Sequence, residues 1–384
     1  MTNPERPIYL DYNATTPVAP EVLEAMLPYL REEFGNPSST HPYGRRTRQA
    51  VERAREQVAA LLGASPEEIF FTSGGTEANN LAIRGVAEAR PGQRHIITST
   101  IEHPATALPC RYLERQGWEV SWVGVDIEGR VRWEEALAAL RGDTALVTLI
   151  HANNETGVLQ PVKELARKAR TAGAVVHTDA AQSVGKVLVD VVELEVDLLT
   201  VVGHKLYAPK GVGALYVRRG TPLKPFALGG GQEHGKRPGT ENVPYIVGLG
   251  AACELARQRL AHGPKALMEL RERLWWRLQA EVPGVRLTGH PTERLPNTLN
   301  VRFPGVYGSA VLAGAPEVAA STGSACHEGG ETASDILLAM GLPPEEALGA
   351  VRLTLGHGTT AEDVDAAAAA LARAWRAVAR GKQG

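Results

Sequence analysis

Short apolar segments alternate with amphipathic segments over residues 68–180. Several apolar runs have the length and the β-branched content of buried strands: EIFFTS, HIITST, ALVTLIHA and AVVHTDA. Helical patterns such as PVKELARKARTAG lie between them. This alternation predicts βαβ units and a mainly parallel sheet. Two later runs, DLLTVVGHK and GVGALYVRRG, are predicted to join the sheet, the second as a return strand.

The pattern changes after Pro244. A long helical stretch runs to about Ala280, and the apolar runs NTLNVRF and VRLTLG follow it with a glycine-rich loop between them. The chain closes with an alanine-rich amphipathic run, AEDVDAAAAALARAWRAVARG, which predicts a surface helix. We therefore predict that a second, smaller α/β domain follows the parallel-sheet domain.

Composition and charge exclude several classes of protein. The 384 residues are 43% hydrophobic, and 41 basic residues nearly balance 43 acidic ones, for a formal net charge of -2. This balance gives no indication of direct nucleic-acid binding. No stretch approaches the roughly 20 apolar residues that span a bilayer, and the first residues lack the apolar core of a secretory signal. We predict a cytoplasmic protein with no membrane partner.

The chain has three cysteines, Cys110, Cys253 and Cys326, and no CxxC pair, so neither a disulfide framework nor a zinc site is predicted. The histidines form no HxxxH arrangement, and we predict no metal. Cys110 and Cys253 lie in helical patterns typical of buried cysteines. Cys326 instead lies among small polar residues and glycines in STGSACHEGG, which predicts a loop with a solvent-accessible, reactive thiol.

Polar residues follow four of the predicted parallel strands. His103 follows HIITST, Asn154 follows ALVTLIHA, Asp179 ends AVVHTD, and Lys205 follows DLLTVVGH. Ligands of open parallel sheets bind at the carboxyl ends of the strands. Each residue alone is commonly a surface charge, a helix cap or a structural histidine. Their coincidence at one edge of the sheet favours a functional site.

These residue types fit pyridoxal phosphate. A lysine amine such as that of Lys205 forms a Schiff base with the cofactor aldehyde, and a carboxylate such as that of Asp179 keeps the pyridine nitrogen protonated. His103 could stack on the ring and move protons. The run FTSGGTEANN supplies glycines and a hydroxyl before a helical pattern, so Gly75 and Thr76 would bind the phosphate.

At this point the chain resembles the cysteine desulfurases, class V aminotransferase-like enzymes of fold-type I. The likeness covers nearly the whole chain, in the family's order and with similar spacing: YLDYNATTPV, GNPSS, SGGTEANN, EH, NNETG, TDAAQ, HKLYAPKGVG, RPGTEN, TGSAC and RLTLG. The resemblance implies a large, mainly parallel-sheet domain of residues 16–250. It also implies a small α/β domain that joins residues 1–15 to residues 251–384.

The resemblance also assigns roles to single residues. It makes Lys205 the Schiff-base lysine, His103 the ring-stacking histidine and Asp179 the partner of the pyridine nitrogen. It adds further binding residues: Gln182 for the ring hydroxyl; Gly75, Thr76 and His204 for the phosphate; Asn154 for the cofactor and the substrate; Arg352 and, more weakly, Asn36 for the substrate carboxylate. Thr240 of RPGTEN would reach the phosphate of a neighbouring subunit, which implies a homodimer.

The implied reaction converts L-cysteine to L-alanine. Lys205 would remove the Cα proton, and the Cys326 thiolate would take the substrate sulfur as a persulfide, with His103 able to accept the thiol proton. A mobile loop would then carry the persulfide to a sulfur acceptor, either a scaffold or a carrier protein, for iron-sulfur cluster or thiolated RNA or cofactor biosynthesis. The sequence does not identify that acceptor.

The chain departs from the family pattern at two places. Val202 stands where the family has a phosphate-binding serine, so one contact is expected to be missing unless the Gly203 N–H replaces it. HEGGETAS replaces the family's usual sequence after the cysteine. Three alternatives remain open: a selenocysteine lyase, an aminotransferase of the same fold, which would not need Cys326, and a non-catalytic sulfur carrier.

Overall fold

The computed structural model describes residues 6–323, 325–327 and 330–381, with the backbone alone described at 325–327 and 330. The strands are β1 (Ile8–Tyr9), β2 (Ile69–Thr72), β3 (His95–Ser99), β4 (Glu119–Val123), β5 (Thr144–Ile150), β6 (Val175–Asp179), β7 (Leu198–Val202), β8 (Gly213–Val217), β9 (Arg286–Leu287), β10 (Thr298–Arg302), β11 (Val318–Ala319), β12 (Ala325–His327), β13 (Gly330–Thr332) and β14 (Ala350–Thr354). The helices are α1 (Pro20–Arg31), α2 (Pro42–Leu62), α3 (Gly75–Ala89), α4 (Pro104–Arg115), α5 (Trp133–Ala138), α6 (Val162–Thr171), α7 (Val243–Arg259), α8 (Gly263–Glu281), α9 (Gly308–Ala313), α10 (Asp335–Ala339), α11 (Pro344–Ala347) and α12 (Ala361–Gly381).

A seven-stranded sheet in the order β2-β8-β7-β6-β5-β3-β4 forms the centre of the described chain. Neighbouring strands from β7 to β4 are parallel, whereas β8 is antiparallel to both β7 and β2. Every residue of β5 is buried, as expected of a parallel strand with both faces covered. The predicted parallel sheet and the predicted return strand are thus present.

Helices cover both faces of this sheet. On one face, α3 and α4 bury residues such as Leu81 and Leu113 against Ile96 and Leu146. On the other face, α1, α2, α6 and α7 form the largest core cluster with side chains of β5, β6 and β7. The carboxyl ends of the parallel strands are left at one edge, where the loops to the helices carry polar residues.

A second core is built from both ends of the chain. Leu10 packs with α8, α9, α12, β10 and β14, which include Leu274, Leu299 and Leu371. Strands β14, β10 and β9 form an antiparallel sheet, and β1 pairs in parallel with β11. Helix α7 runs across residue 250, and its buried Cys253 belongs to the larger core. The boundary at residue 250 stays a prediction.

Two local expectations from the sequence are wrong. The helical stretch after Pro244 is two helices, because Pro264 lacks the N–H donor needed to continue α7 and instead lies in the first turn of α8. The glycine-rich segment around Cys326 was expected to be a loop, but its backbone forms the antiparallel hairpin β12–β13, in which Cys326 pairs with Glu331. Pairing between the two short strands satisfies backbone groups that a loop would leave to solvent.

The final alanine-rich run forms the helix α12, and its apolar face is buried in the second core through residues such as Val364 and Leu371. Within the described residues, no helix is both long and apolar enough to cross a membrane.

Candidate active site

A cavity of about 320 Å³ lies at the carboxyl ends of β5, β6 and β7, beside the loop that follows β3. Nine of the residues singled out from the sequence line it: Gly75, Thr76, His103, Asn154, Asp179, Gln182, His204, Lys205 and Arg352. Residues from four strand ends and from both cores therefore converge on one space. Asn13 and Ala14 of the N-terminal segment complete part of its wall.

The Asp179 carboxylate is held in place by hydrogen bonds from two directions. Its Oδ1 accepts from the Ala181 backbone N–H at 3.0 Å, and its Oδ2 accepts from Asn79 Nδ2 at 2.7 Å. Asn79, on α3, is itself fixed because its Nδ2 donates to Thr106 Oγ1 and its Oδ1 accepts from Thr200 Oγ1 at 2.6 Å. Asp179 is thus a preorganised anion at the end of β6.

The Lys205 amine lies beneath the N-terminal segment. Its Nζ donates to the backbone carbonyls of Asn13 and Ala14, each at 2.6 Å. Burial lowers the pKa of Lys205 to about 8, and the positive charge of Arg352 contributes in the same direction. Roughly a tenth of the amine is therefore neutral at pH 7, and a nucleophile or a base must be in this neutral form.

Two histidines of the cavity are also biased toward their neutral forms. His103 caps α4, with its Nδ1 accepting from the Ala105 N–H at 3.1 Å, and burial lowers its pKa. His204 Nδ1 lies 3.2 Å from Thr15 Oγ1, and burial lowers its pKa to about 4. Because Nδ1 accepts from Ala105, the hydrogen of the neutral His103 ring is on Nε2, and the ring can take a further proton only at Nδ1, with loss of that hydrogen bond.

The start of α3 lines the cavity through Gly75 and Thr76. Gly74, which precedes the helix with φ 141°, provides no side-chain cap for the first helical N–H groups. A Cβ on Gly75 would lie 2.7 Å from Val202 Cγ2, so only glycine fits there. The suggested compensation by Gly203 is wrong, because the Gly203 N–H already donates to the Val212 carbonyl at 3.0 Å.

Arg352, on β14, reaches the cavity from the second core. Its Nη2 forms an ion pair with Asp11 Oδ1 at 2.7 Å, and its Nη1 donates to the Asn154 carbonyl at 3.1 Å. Among the described residues, Arg352 Nε and Asn154 Oδ1 are buried without a hydrogen-bond partner. This donor and this acceptor are therefore available to a ligand.

The remaining predicted residues lie elsewhere. Asn36 is exposed, its Oδ1 accepts from the Ser38 N–H at 2.9 Å, and it does not line the cavity. Thr240 is also exposed and outside the cavity of its own chain. The backbone of Cys326 lies in β12, but its side chain falls outside the described part of the chain.

The cavity fits pyridoxal phosphate as the sequence predicted. A lysine of lowered pKa lies in the same space as a fixed carboxylate, which suits the aldehyde and the protonated pyridine nitrogen of the cofactor. The uncapped start of α3 offers N–H groups to a phosphate. The orphaned donor on Arg352 suits the carboxylate of an amino-acid substrate.

Sequence reasoning missed several polar residues that position the predicted ones. They are Asp11 and Asn13 of LDYNATTP, Asn79 of SGGTEANN, Glu102 next to His103, and Lys186 of AAQSVGK. The Glu102 carboxyl accepts from Ser99 Oγ at 2.5 Å and from the Ile150 N–H at 3.0 Å, and burial raises its pKa to about 8. A polar residue within an apolar helical face, as at Asn79, was the available signal.

Known proteins share this fold and sequence. A model of the family described as aminotransferase class-V matches residues 8–367. The chain is 49% identical to cysteine desulfurase 2 of Trichormus variabilis over 360 residues, which cover 93% of this chain and 90% of that protein. It is 48% identical to cysteine desulfurase IscS of Dictyoglomus turgidum over 364 residues, covering 94% and 92% of the two chains.

A solved structure of a NifS-like protein aligns with a TM-score of 0.90 at 39% identity, covering 97% of this chain and 100% of that one. The predicted fold class is therefore confirmed. The chain belongs to the aminotransferase class-V family and, within it, to the cysteine desulfurases, which are pyridoxal-phosphate enzymes of fold-type I.

Proposed function

We propose that this cysteine desulfurase uses Lys205 as its cofactor-binding lysine and base, and Cys326 as the acceptor of the substrate sulfur. The observation that carries the proposal is the convergence of Lys205, Asp179, His103 and Arg352 on one cavity. Bound pyridoxal phosphate would supply an electron sink for the electrons left at the substrate Cα when its proton is removed.

Some residues around the ring would bind its charged groups, and Lys205 would transfer the proton. Asp179, fixed by Asn79, would face the pyridine nitrogen, and Gln182 would face the ring hydroxyl. Lys205, once displaced by the substrate amine, would be neutral often enough near its pKa of about 8 to take the Cα proton. Gly75, Thr76 and His204 would hold the phosphate.

The substrate carboxylate would bind Arg352. Its guanidinium is held by Asp11 and the Asn154 carbonyl, which leaves the buried Nε for the ligand. The Asn154 side-chain oxygen, also buried without a partner among the described residues, would accept from the substrate or the cofactor. A guanidinium already fixed by a carboxylate and a backbone carbonyl costs less entropy to order on binding.

The sulfur step balances without an added oxidant. The Cys326 thiolate forms an S–S bond with the substrate sulfur as the substrate Cβ–S bond breaks, and reprotonation gives L-alanine and a persulfide. A free thiol has a pKa near about 8.5, so a base must take its proton. Burial keeps His103 neutral, so it would take that proton at Nδ1 and give up the hydrogen bond from the Ala105 N–H.

We further propose that the enzyme works as a cytoplasmic homodimer that passes its sulfur to a protein acceptor, for iron-sulfur clusters or thiolated products. The exposed position of Thr240 outside its own cavity supports a role at the neighbouring subunit. The similarity to the cysteine desulfurase named IscS supports the proposal that a protein accepts the sulfur.

The test is an assay of sulfide and alanine from L-cysteine in the presence of a thiol reductant, which reduces the Cys326 persulfide and releases its outer sulfur as sulfide; the visible absorption of the purified protein is recorded in parallel. We expect a yellow enzyme that makes equal amounts of both products. Cys326→Ala should keep the yellow colour and lose the release of sulfide. Lys205→Ala should form neither sulfide nor alanine. Cys253→Ala is the matched control, since Cys253 is buried in α7 and burial raises its pKa to about 12. Sulfide release that survives Cys326→Ala would refute the proposal.

A further inference from the structure

Lys186 lies directly behind the cofactor-facing residues and has no part in the mechanism described so far. Its Nζ donates to Gln182 Oε1 at 2.8 Å and to Asn13 Oδ1 at 3.0 Å. Burial lowers its pKa well below the ordinary value, and the charges of Lys205 and Arg352 lower it further. A buried lysine close to two other cationic groups lowers the stability of the folded protein. A lysine on the surface would not have this cost.

The contacts of Lys186 decide which way the Gln182 amide faces. Gln182 Nε2 donates to the Asn13 backbone carbonyl at 3.0 Å, and that oxygen can only accept. The Lys186 amine occupies the other side of the amide and requires Oε1 there. Both constraints agree, so the second Nε2 hydrogen is the group that Gln182 can offer to a ligand in the cavity.

The same contacts hold the wall over Lys205. The Asn13 carbonyl accepts from Gln182 and also from Lys205 Nζ at 2.6 Å. The Asn13 side chain is fixed in turn, because its Oδ1 accepts from Lys186 and from Asn297 Nδ2, and its Nδ2 donates to Thr298 Oγ1 at 2.9 Å. Lys186 therefore joins Gln182 and Asn13 into one unit.

We propose that Lys186 is a positioning residue for the cofactor ring, which locks Gln182 with its amide N–H toward the ring hydroxyl and locks the Asn13 carbonyl against Lys205. This inference rests on the proposed roles of Gln182 and Lys205. An N–H donor stabilises an ionised ring oxygen. By fixing Gln182 in this orientation, Lys186 therefore favours the deprotonated form of the bound cofactor. Other titratable groups near Lys186 or Lys205 are Tyr12, Tyr207, Arg259, His357, Arg352, Asp11, Asp179, His103 and His204.

The test is Lys186→Met in the holoenzyme without L-cysteine, followed through the pH midpoint of the cofactor's visible absorption and the dissociation constant of pyridoxal phosphate. We expect the midpoint to rise by about one pH unit, the shift that a tenfold change in an ionisation equilibrium produces. Lys163→Met is the matched control, since Lys163 is an exposed lysine paired with Glu193 at 2.9 Å. It should keep the wild-type midpoint and affinity.

A double-variant cycle separates positioning from charge. In a Gln182→Leu background, Lys186→Met should add little further shift, because the amide through which Lys186 acts is gone. A full additional shift in that background, or an unshifted Lys186→Met enzyme, would overturn the proposal. Lys186→Ala also removes the donor, so an unshifted midpoint there is equally decisive if Lys186→Met does not fold. A wild-type protein that binds no cofactor would instead reject the proposed function.

Discussion

Asn79 and Asn80 are neighbours on α3, but of the two only Asn79 contacts the Asp179 carboxylate. Asn79 makes three buried hydrogen bonds, to the carboxylate of Asp179 and to the hydroxyls of Thr106 and Thr200. Asn80 donates to the Thr76 carbonyl at 2.9 Å in an exposed position. Leucine in place of Asn79 keeps the number and branching of the side-chain heavy atoms and removes all three hydrogen bonds.

The magnitude follows from the kind of bond that is lost. A hydrogen bond to a charged group contributes about 1.5–3 kcal/mol and a neutral one about 1 kcal/mol, so Asn79→Leu should lower the free energy of unfolding by about 3–5 kcal/mol. Asp179 also loses the donor that fixes its orientation. We expect the affinity for pyridoxal phosphate to fall by roughly tenfold or more, as expected from about 1.4 kcal/mol of weakened pairing.

The assay is urea denaturation of the apoprotein together with equilibrium titration of pyridoxal phosphate. Asn80→Leu is the control and should change stability by less than about 0.5 kcal/mol, as exposed substitutions usually do. Equal stabilities and equal cofactor affinities for the two variants would refute the role assigned to Asn79. Lost stability with unchanged affinity would show that Asn79 supports the fold and does not orient Asp179.

Three further predictions concern other parts of the chain. The rate at which apoenzyme combines with pyridoxal phosphate should rise with pH and level off above about 8, because only neutral Lys205 attacks the aldehyde and its pKa is about 8. Stopped-flow absorption measures this rate, and a flat profile from about pH 6 to 9 would contradict the prediction. Arg55→Met should lower the urea-unfolding free energy by about 3–5 kcal/mol, because it leaves the buried Glu233 carboxylate unpaired, whereas Arg46→Met, at an exposed pair with Glu33, should change little. Gly323→Ala should lower the melting temperature and the rate of sulfide release, because a Cβ there overlaps Glu155 Oε2. That oxygen already accepts from Ser334 Oγ at 2.6 Å. Gly92→Ala is the control, since a Cβ at residue 92 meets nothing within 4 Å.

The alternation of strand and helix patterns was enough to predict the parallel sheet and the edge at which ligands bind. Lys205, Asp179, His103 and Asn154 could be found because each directly follows or ends an apolar run, and parallel strands bring such positions together. Arg352 could not be found in this way. It lies on a strand of the second core, and only the family resemblance connected it to the cavity.

The residues that position the site were missed for a physical reason. Asn79, Asn13 and Lys186 act through hydrogen bonds to groups far away in the chain: Asn79 to Asp179, 100 positions away, Asn13 to Thr298, 285 away, and Lys186 to Asn13, 173 away. Periodicity reports which face of an element is buried, not which distant partner satisfies a polar group on it. The hairpin at Cys326 was missed because glycine content outweighed the pairing between two short strands.

The central claim is that Cys326 takes the sulfur, and a single-turnover experiment tests it most directly. Holoenzyme is mixed with less than one equivalent of L-cysteine without a reductant, the thiols are alkylated, and the cysteine-containing peptides are analysed by mass spectrometry. One additional sulfur atom should be found on Cys326 in amounts that match the alanine formed, and none on the buried Cys110 and Cys253. Alanine formed without any additional sulfur on Cys326 would contradict the account.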